Sequence, residues 1–193
     1  MILAFLLLGL ITAGVSYQGT RGMHDIHAML NDLYQREMMG VSEIKEANIH
    51  LLYLSRAEKN FLLSYTLEDR IEYQKQVLAY QKSTEEFLEK SKKHFYTEEG
   101  QKLLNILLQA WQDYQPVIAE ILEKGFSEDF SADRESVRLS KTRGRAFQLQ
   151  LDQLMTRLSE IKLSNAADFQ RNSNHQFQST VAGLFSLTLF SLL

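Results

Sequence analysis

The last third of the chain carries a stripe of arginines at helical spacing. Arg134, Arg138 and Thr142 follow one another at intervals of four residues, and Arg145 lies three residues further on. Residues at this spacing share one face of an α-helix. Like charges on one face repel one another unless an anion neutralises them, and guanidinium groups bind carboxylates through paired hydrogen bonds. The stripe therefore indicates a site for a small carboxylate.

The same arginines also have an alternative interpretation as surface ion pairs. Asp133 and Glu135 flank Arg134, and Glu58 occurs earlier in the chain among otherwise apolar positions. An exposed pair of this kind contributes little to stability and implies no ligand. Both interpretations stay open for each single arginine.

A second group of polar and aromatic residues falls near the end of the first predicted helix. The predicted bundle brings this group to the same level along its axis as the start of the arginine stripe on the fourth helix. The group comprises Tyr53, Arg56 and Asn60. Trp111 and Tyr114, on the third helix, are placed to form a wall of the same site. We therefore predict a ligand site made by Tyr53, Arg56, Asn60, Trp111, Tyr114, Arg134, Arg138, Thr142 and Arg145.

Composition excludes several classes of protein. The chain has 193 residues, 21 Lys and Arg against 24 Asp and Glu, and no cysteine. A net charge of −3 argues against a nucleic-acid partner, which would need a basic face. The lack of cysteine excludes disulfides, thiolate metal sites and cysteine nucleophiles.

Motifs for catalysis are also missing, because the sequence contains no nucleophile elbow, phosphate-binding loop or zinc-protease signature. His24 and His27 lack a clear third metal ligand, so we expect them at the surface, with no metal and no cofactor. A haem-binding bundle would need an inward histidine or methionine. Met38, Met39 and His50 are available, but core and surface roles are favoured for them. We therefore expect that this protein is not an enzyme.

Both ends of the chain are apolar. Residues 1–20 and 172–193 contain no Lys, Arg, Asp or Glu. We expect residues 1–20 to be part of one transmembrane helix and residues 179–193 to be the start of a second, truncated one, with the domain 21–178 on the other side of the membrane. The alternatives are a buried core helix at each end, or a signal peptide at the first.

Four helices are predicted between these ends, over residues 23–65, 69–95, 97–125 and 131–178. Thr66 and Thr97 are predicted caps, and Pro116 is expected to kink the third helix or to loosen one of its turns. Short connections between long helices predict an all-α, antiparallel, up-down-up-down four-helix bundle with long first and fourth helices. Exposed apolar residues near the membrane further predict a homodimer, through Met29, Leu30, Leu33 and Tyr34.

Helical periodicity predicts which side chains are buried. Glu58 is notable as a polar residue on the buried stripe of the first helix. His50, His94 and His175 are predicted at the surface. The predicted core comprises Leu30, Leu33, Val41, Ile44, Leu51, Leu54, Leu62, Ile71, Val77, Leu78, Leu88, Phe95, Leu103, Leu104, Leu107, Leu108, Trp111, Tyr114, Val117, Ile118, Ile121, Val137, Phe147, Leu151, Leu154, Leu158, Ile161 and Leu163.

The two apolar ends, the helix lengths and the stretch EMMGVSEIKEANIHLLYLSRAEKNFLLS (residues 37–64) resemble one known family. They are similar to the extracytoplasmic sensor segment of bacterial methyl-accepting chemotaxis receptors with a four-helix-bundle ligand-binding domain. The resemblance implies a periplasmic sensor on the inner membrane that dimerises and passes its signal through movement of helix four. It also implies a cytoplasmic kinase complex as partner, reached through a C-terminal part not included in this sequence.

The resemblance also implies roles for particular residues. In aspartate-type receptors, arginines near the end of helix one bind the ligand carboxylates, and a threonine near the start of helix four helps to hold the amino group. Leu54-Ser55-Arg56 matches the first pattern and Thr142-Arg143-Gly144 the second. Leu51 and Asn60 stand where that family has two further arginines, which favours another organic acid, such as malate or citrate, over aspartate.

Several alternatives remain at this point. The same sensor fold serves histidine kinases and cyclases, and the ligand of such a domain can be an amino acid or an aromatic acid. A structural bundle that binds a protein partner is a further alternative. An exposed apolar patch at the end of the bundle would support it, and the candidates are Leu62, Leu63 and Tyr65.

Overall fold

The structure is a computed structural model that describes residues 2–130 and 133–191. These residues form helices and turns, and no strand occurs among them. Met39–Lys162 make up one compact unit, and Met1–Met38 with Leu163–Leu193 make up the other.

The helices follow one another with short connections. In chain order the α-helices are α1 (Ile2–Asp32), α2 (Met39–Leu63), α3 (Leu67–Ser91), α4 (Glu98–Ser127), α5 (Glu135–Leu139) and α6 (Arg145–Ser191). A π-helical segment, Leu33–Met38, follows α1, and a second one, Ser140–Gly144, lies between α5 and α6. A turn of 3₁₀-helix, Lys92–His94, closes α3.

The unit Met39–Lys162 is a four-helix bundle, which confirms the predicted fold class. Its four members are α2, α3, α4 and a fourth helix that comprises α5, the second π-helical segment and α6 up to Lys162. Connections of a few residues join consecutive helices, so neighbours run antiparallel.

Both predicted threonine caps are confirmed. The Oγ1 of Thr66 accepts a 3.1 Å hydrogen bond from the backbone N–H of Asp69, and that of Thr97 accepts one of 3.2 Å from Gly100. Each bond satisfies an N–H group that has no partner within its own helix. The caps therefore fix where α3 and α4 begin.

Several helix ends differ from the prediction, including that of α2, which ends at Leu63 and not at Tyr65. The second helix ends at Ser91, not at Phe95, because the Ser91 hydroxyl bonds to the Leu88 carbonyl and the chain tightens into the 3₁₀ turn. Ser131, where we predicted the fourth helix to begin, lies outside the described residues, and α5 begins at Glu135. The third helix continues through Pro116 to Ser127.

Most predicted core residues are buried, including the whole α4 set apart from the partly buried Leu108. Leu30, Ile71, Leu78 and Leu163 were predicted wrongly, since 39–54% of each is exposed. The 3–4 spacing selects a stripe of residues that is wider than the helix surface buried against neighbouring helices. Residues at the edge of this stripe therefore remain exposed to solvent.

His94 was also predicted wrongly, because it is buried and not on the surface. It belongs to the 3₁₀ turn, where its Nε2 lies 4.0 Å from the Oε1 of Glu43. Lys162 is buried beside it and donates a hydrogen bond to the His94 carbonyl. The Lys162 ammonium also lies 4.9 Å from the centre of the Phe95 ring, a cation–π contact.

The other unit pairs α1 with the C-terminal part of α6. Gly22 lies against the side chain of Thr180, and Gly183 against that of Gln18. Leu30 and Tyr34, which we expected to need a partner, are exposed. A groove in this unit is lined by Met29, Leu30, Leu33, Phe169, Gln170, Ser173 and Asn174.

Among the residues that the structure describes, no helix is both long enough and apolar enough to cross a membrane. Met1, Leu192 and Leu193, and several side chains within residues 3–8 and 187–191, lie outside the described residues. The two expected transmembrane segments, 1–20 and 179–193, include these positions, so they stay predictions.

Candidate functional site

One candidate site is a groove of about 350 Å³ between α2 and the fourth helix, which we call the cationic groove. Its lining brings together residues nearly one hundred positions apart in sequence. The groove is lined by Leu52, Ser55 and Lys59 of α2, and by Ser140, Lys141, Arg145, Gln148, Leu149 and Asp152 of the fourth helix.

The three cations of the cationic groove differ in how they are engaged. Lys59 donates hydrogen bonds to Glu58 and to Ser140. Within the described part of the chain, the side chains of Lys141 and Arg145 have no hydrogen-bond or ion-pair partner. Two positive charges at the groove are therefore available to an anion.

The acidic residue of the groove already forms a hydrogen bond with an uncharged side chain. Asp152 accepts a 2.8 Å hydrogen bond from the side-chain amide of Asn48 on α2. This bond orients Asp152 toward α2 without cancelling its charge. The net charge of the cationic groove, with Lys59 paired to Glu58, is therefore positive.

A buried polar network lies beside the cationic groove, centred on the Glu58 carboxylate, which is fully buried. Ser140 donates a 2.5 Å hydrogen bond to its Oε1, Lys59 donates one of 3.0 Å to the same atom, and Tyr114 donates one of 3.4 Å to Oε2. A buried carboxylate is stable only when such donors replace its water.

The network continues from Tyr114 to the groove. Gln148 donates a 2.7 Å hydrogen bond to the Tyr114 hydroxyl, and Ser55 donates one of 2.9 Å to the Gln148 carbonyl oxygen. Burial, and secondly the Glu58 carboxylate, raise the pKa of Tyr114 far above its ordinary value. The phenol is therefore neutral and acts as a hydrogen-bond donor to Glu58.

A second candidate site lies on another side of α2, between α2 and α3, and we call it the tyrosine cleft. It also has a volume of about 350 Å³, and three of its side chains are tyrosines. Its single cation is Arg56, which is exposed and whose side chain has no partner among the described residues. The tyrosine cleft is lined by Tyr53, Arg56, Ala57, Asn60, Tyr73, Gln76 and Tyr80.

The structure therefore separates the predicted site residues into groups. Tyr53, Arg56 and Asn60 lie together in the tyrosine cleft, whereas Arg145 lines the cationic groove. Tyr114 belongs to the buried network. Trp111 lies in the core, 6.2 Å from Tyr114 between ring centres.

The remaining members of the arginine stripe are engaged within the protein. Arg134 is buried and donates a 2.7 Å hydrogen bond to the Leu62 carbonyl, which joins the start of α5 to the end of α2. Arg138 forms a two-nitrogen ion pair with Glu135. Hydrogen bonds from Arg138 lower the pKa of Glu135. The surface-pair interpretation therefore describes the contacts of Arg138.

Thr142 bonds to its own helix, with its hydroxyl donating 2.8 Å to the Arg138 carbonyl. A threonine within a helix commonly forms this hydrogen bond to the carbonyl four residues earlier. Arg143, one residue on, pairs with Glu120 of α4 at 3.1 Å. Neither residue lines the cationic groove with Arg145.

Several residues that line the two candidate sites were not among the predicted site residues. They are Lys59, Lys141, Ser140, Gln148, Tyr73, Gln76 and Tyr80. Two signals in the sequence point toward them. Tyr73, Gln76 and Tyr80 share one face of α3 at helical spacing. Glu58 is a charged residue on an apolar stripe, and a buried charge requires polar partners from the neighbouring helices.

Comparison with known proteins places this architecture in a family. No curated protein and no solved structure matches the chain. The family described as "Four helix bundle sensory module for signal transduction" matches residues 1–177, nearly the whole chain. Its defining fold is the one seen for Met39–Lys162. The chain belongs to this family of four-helix-bundle sensory modules, which serve signal transduction in chemotaxis receptors.

Proposed function

We propose that the chain is the sensor of a membrane-anchored chemoreceptor and binds a small di- or tricarboxylate in the cationic groove. The observation that carries this proposal is the pair Lys141 and Arg145, which line the groove without partners among the described residues. Unpaired cations on one side of a concave site favour an anionic ligand.

The lining chemistry favours an organic acid with more than one charged group. Arg145 offers a planar fork that suits a carboxylate, and Lys141 offers a point charge for a second one. Ser55 donates its proton to Gln148, and its hydroxyl oxygen can still accept a hydrogen bond from a ligand hydroxyl. Malate and citrate combine these features, so they are the first ligands to test.

The position of the cationic groove suits a signalling role. A ligand held by Ser55 or Lys59 on α2 and by Arg145 on α6 favours one relative placement of these two helices. Such a ligand shifts the equilibrium only by its difference in affinity for the two placements. Small helix shifts of this kind are a known form of switching. In this proposal the signal leaves along α6.

The cellular setting follows from the family and the sequence. Membership in a sensory family of membrane receptors supports an inner-membrane location with the bundle in the periplasm. The uncharged segments 1–20 and 179–193 are the proposed anchors. Leu52 and Leu149 are exposed at the rim of the cationic groove. A second copy of the chain would cover them, which supports a homodimer.

A thermal-shift screen of the 193-residue chain in mild detergent tests the ligand class. A ligand that binds only the folded state adds about 2.7 kcal/mol of stability at one hundred times its dissociation constant. We expect citrate or malate to raise the melting temperature, and succinamide, an uncharged relative, to leave it unchanged. Equal shifts with charged and uncharged compounds, or no shift with any carboxylate, would overturn the proposal.

A protein partner is the second candidate function, and one observation favours it. Leu63, Tyr65 and Leu67 are strongly exposed at the turn between α2 and α3, and the Tyr65 and Phe130 rings lie 4.0 Å apart there. Of the predicted patch residues, Leu62 is buried. An exposed apolar patch marks an interaction surface. Loss of signalling in a Tyr65→Ser variant with unchanged citrate binding would favour this function.

A further inference from the structure

The tyrosine cleft is built from two matching helix faces. On α2, Tyr53, Arg56 and Asn60 follow one another at intervals of three and four residues. On α3, Tyr73 and Tyr80 flank Gln76 at the same intervals. Residues at this spacing share one face, so each helix presents aromatic and polar groups to the space between them.

A small, buried residue also lines this space. Ala57 lies between the polar side chains of α2 and lines the cleft, where a longer side chain would fill the volume. The cleft has the size of a small-molecule site, for which volumes of about 300 Å³ or more are usual.

Aromatic contacts hold the walls of the cleft at one end. The ring centres of Tyr53 and Tyr80 lie 5.4 Å apart, which joins α2 to α3. His50 stacks on Phe87 at 5.3 Å and lies 6.1 Å from Tyr80. These contacts pack Tyr53 and Tyr80 against neighbouring rings, which favours a preformed aromatic wall. Preformed walls lower the entropy cost of binding.

The electrostatics of the tyrosine cleft differ from those of the cationic groove. The described lining residues include one cation, Arg56, and no acid. Asn60 and Gln76 supply neutral amide groups on opposite helices. A single unengaged guanidinium matches a single carboxylate, and tyrosine faces and edges pack against an aromatic ring with centres about 4.5–7 Å apart.

We propose that the tyrosine cleft is a second ligand site, which takes an aromatic monocarboxylate. The carboxylate binds to the Arg56 guanidinium, with the Asn60 amide beside it, and the ring packs among Tyr53, Tyr73 and Tyr80. This site is separate from the cationic groove, and its argument does not depend on what that groove binds.

Calorimetric titration of the whole chain tests the site with three probes. Benzoate carries the ring and the single charge, cyclohexanecarboxylate carries the charge without the aromatic ring, and citrate reports on the cationic groove. We expect benzoate to bind and cyclohexanecarboxylate to bind at least about tenfold more weakly, since ring contacts are lost. Equal affinity for these two acids would overturn the aromatic part of the proposal, and no binding of benzoate would overturn all of it.

Variants then locate the benzoate. Arg56→Gln removes the charge and keeps an amide, and Gln76→Glu places a repelling carboxylate on the opposite helix. We expect each to weaken benzoate binding at least about tenfold, the loss of one charge-assisted hydrogen bond, and to leave citrate binding unchanged. Arg157→Gln, an exposed arginine of α6 outside both sites, is the matched control. Unfolding curves for each variant confirm that it is folded.

The outcomes separate this proposal from the one for the cationic groove. If benzoate binding is lost in Arg145→Gln and retained in Arg56→Gln, benzoate occupies the cationic groove and the second site is refuted. If citrate fails to bind while benzoate binds through Arg56, the second site stands and the dicarboxylate proposal falls.

Discussion

The Oγ of Ser140, within the π-helical segment of the fourth helix, donates a 2.5 Å hydrogen bond to the Oε1 of Glu58 on α2. This bond joins the two helices that form the cationic groove. The Glu58 carboxylate is fully buried, so each of its donors replaces a water molecule that folding removed.

Replacing Ser140 with alanine tests the value of this bond. The variant leaves the buried carboxylate one donor short, and we expect a loss of about 1–3 kcal/mol in the free energy of unfolding. Urea denaturation measures it. Ser127→Ala is the matched control, because its hydroxyl bonds only to the Lys124 carbonyl of its own helix at an exposed site. A Ser140 variant as stable as the Ser127 variant would show that the bond does not matter.

The raised pKa of Tyr114 predicts that the free energy of unfolding decreases at alkaline pH. Its ordinary pKa is 10.0, and burial, followed by the Glu58 charge, raises it in the folded state. A raised pKa means that the stabilising contribution is complete below pH 10 and is lost as the pH rises above it. From this group alone, the free energy of unfolding falls by about 1.4 kcal/mol per pH unit above pH 10.

Tyr114→Phe is the comparison for this pH dependence. The phenylalanine cannot ionise, so the difference in stability between the wild type and the variant should narrow as the pH rises from about 9 to about 11, around the ordinary tyrosine pKa. Urea denaturation at both pH values measures the difference. A constant difference would mean that the phenol ionises as readily in the folded protein as in the unfolded chain.

Gly125 packs its backbone against the Phe61 ring. A methyl group at this position would lie 2.4 Å from the Cε1 of Phe61, whose ring is buried and packs on Phe126. We expect Gly125→Ala to cost about 1–3 kcal/mol of stability, the usual effect of overpacking. In the double variant with Phe61→Leu, the smaller side chain makes room, so the two losses should be less than additive. Simple additivity would contradict this packing.

The arginines of the fourth helix should divide into structural and free ones. Arg134 bonds to the Leu62 carbonyl while buried, so Arg134→Gln should lower the melting temperature and leave citrate affinity unchanged. Arg138→Gln loses only an exposed ion pair, which water screens, so we expect little change in stability. A large loss of citrate affinity in either variant would show that the site extends beyond the cationic groove.

The fold was predictable because it follows from local signals. Thr66 and Thr97 mark helix starts through their side-chain chemistry, and the apolar face of α4 is regular enough to identify its buried residues. Some residues predicted to be buried are exposed, including Leu30 and Ile71. They lie at the edge of a broad apolar stripe, where tertiary packing decides which side chains are buried.

The candidate site was less predictable, since it depends on which helices become neighbours. Sequence spacing grouped Arg56 with Arg145 because both lie near the same end of the bundle. The structure places them on different sides of α2, one facing α3 and the other at the groove with α6. The burial of His94 was missed for a different reason, because it comes from the 3₁₀ turn and not from helical periodicity.

The central claim is that a carboxylate binds between α2 and the fourth helix through Arg145. Calorimetric titration of citrate into the wild-type chain, Arg145→Gln and Arg138→Gln tests it most directly. We predict a loss of about 1.5–3 kcal/mol in binding free energy for Arg145→Gln, the value of a charged hydrogen bond, and no change for Arg138→Gln. Equal citrate affinity in all three proteins, or binding that only the Arg138 change abolishes, would contradict the claim.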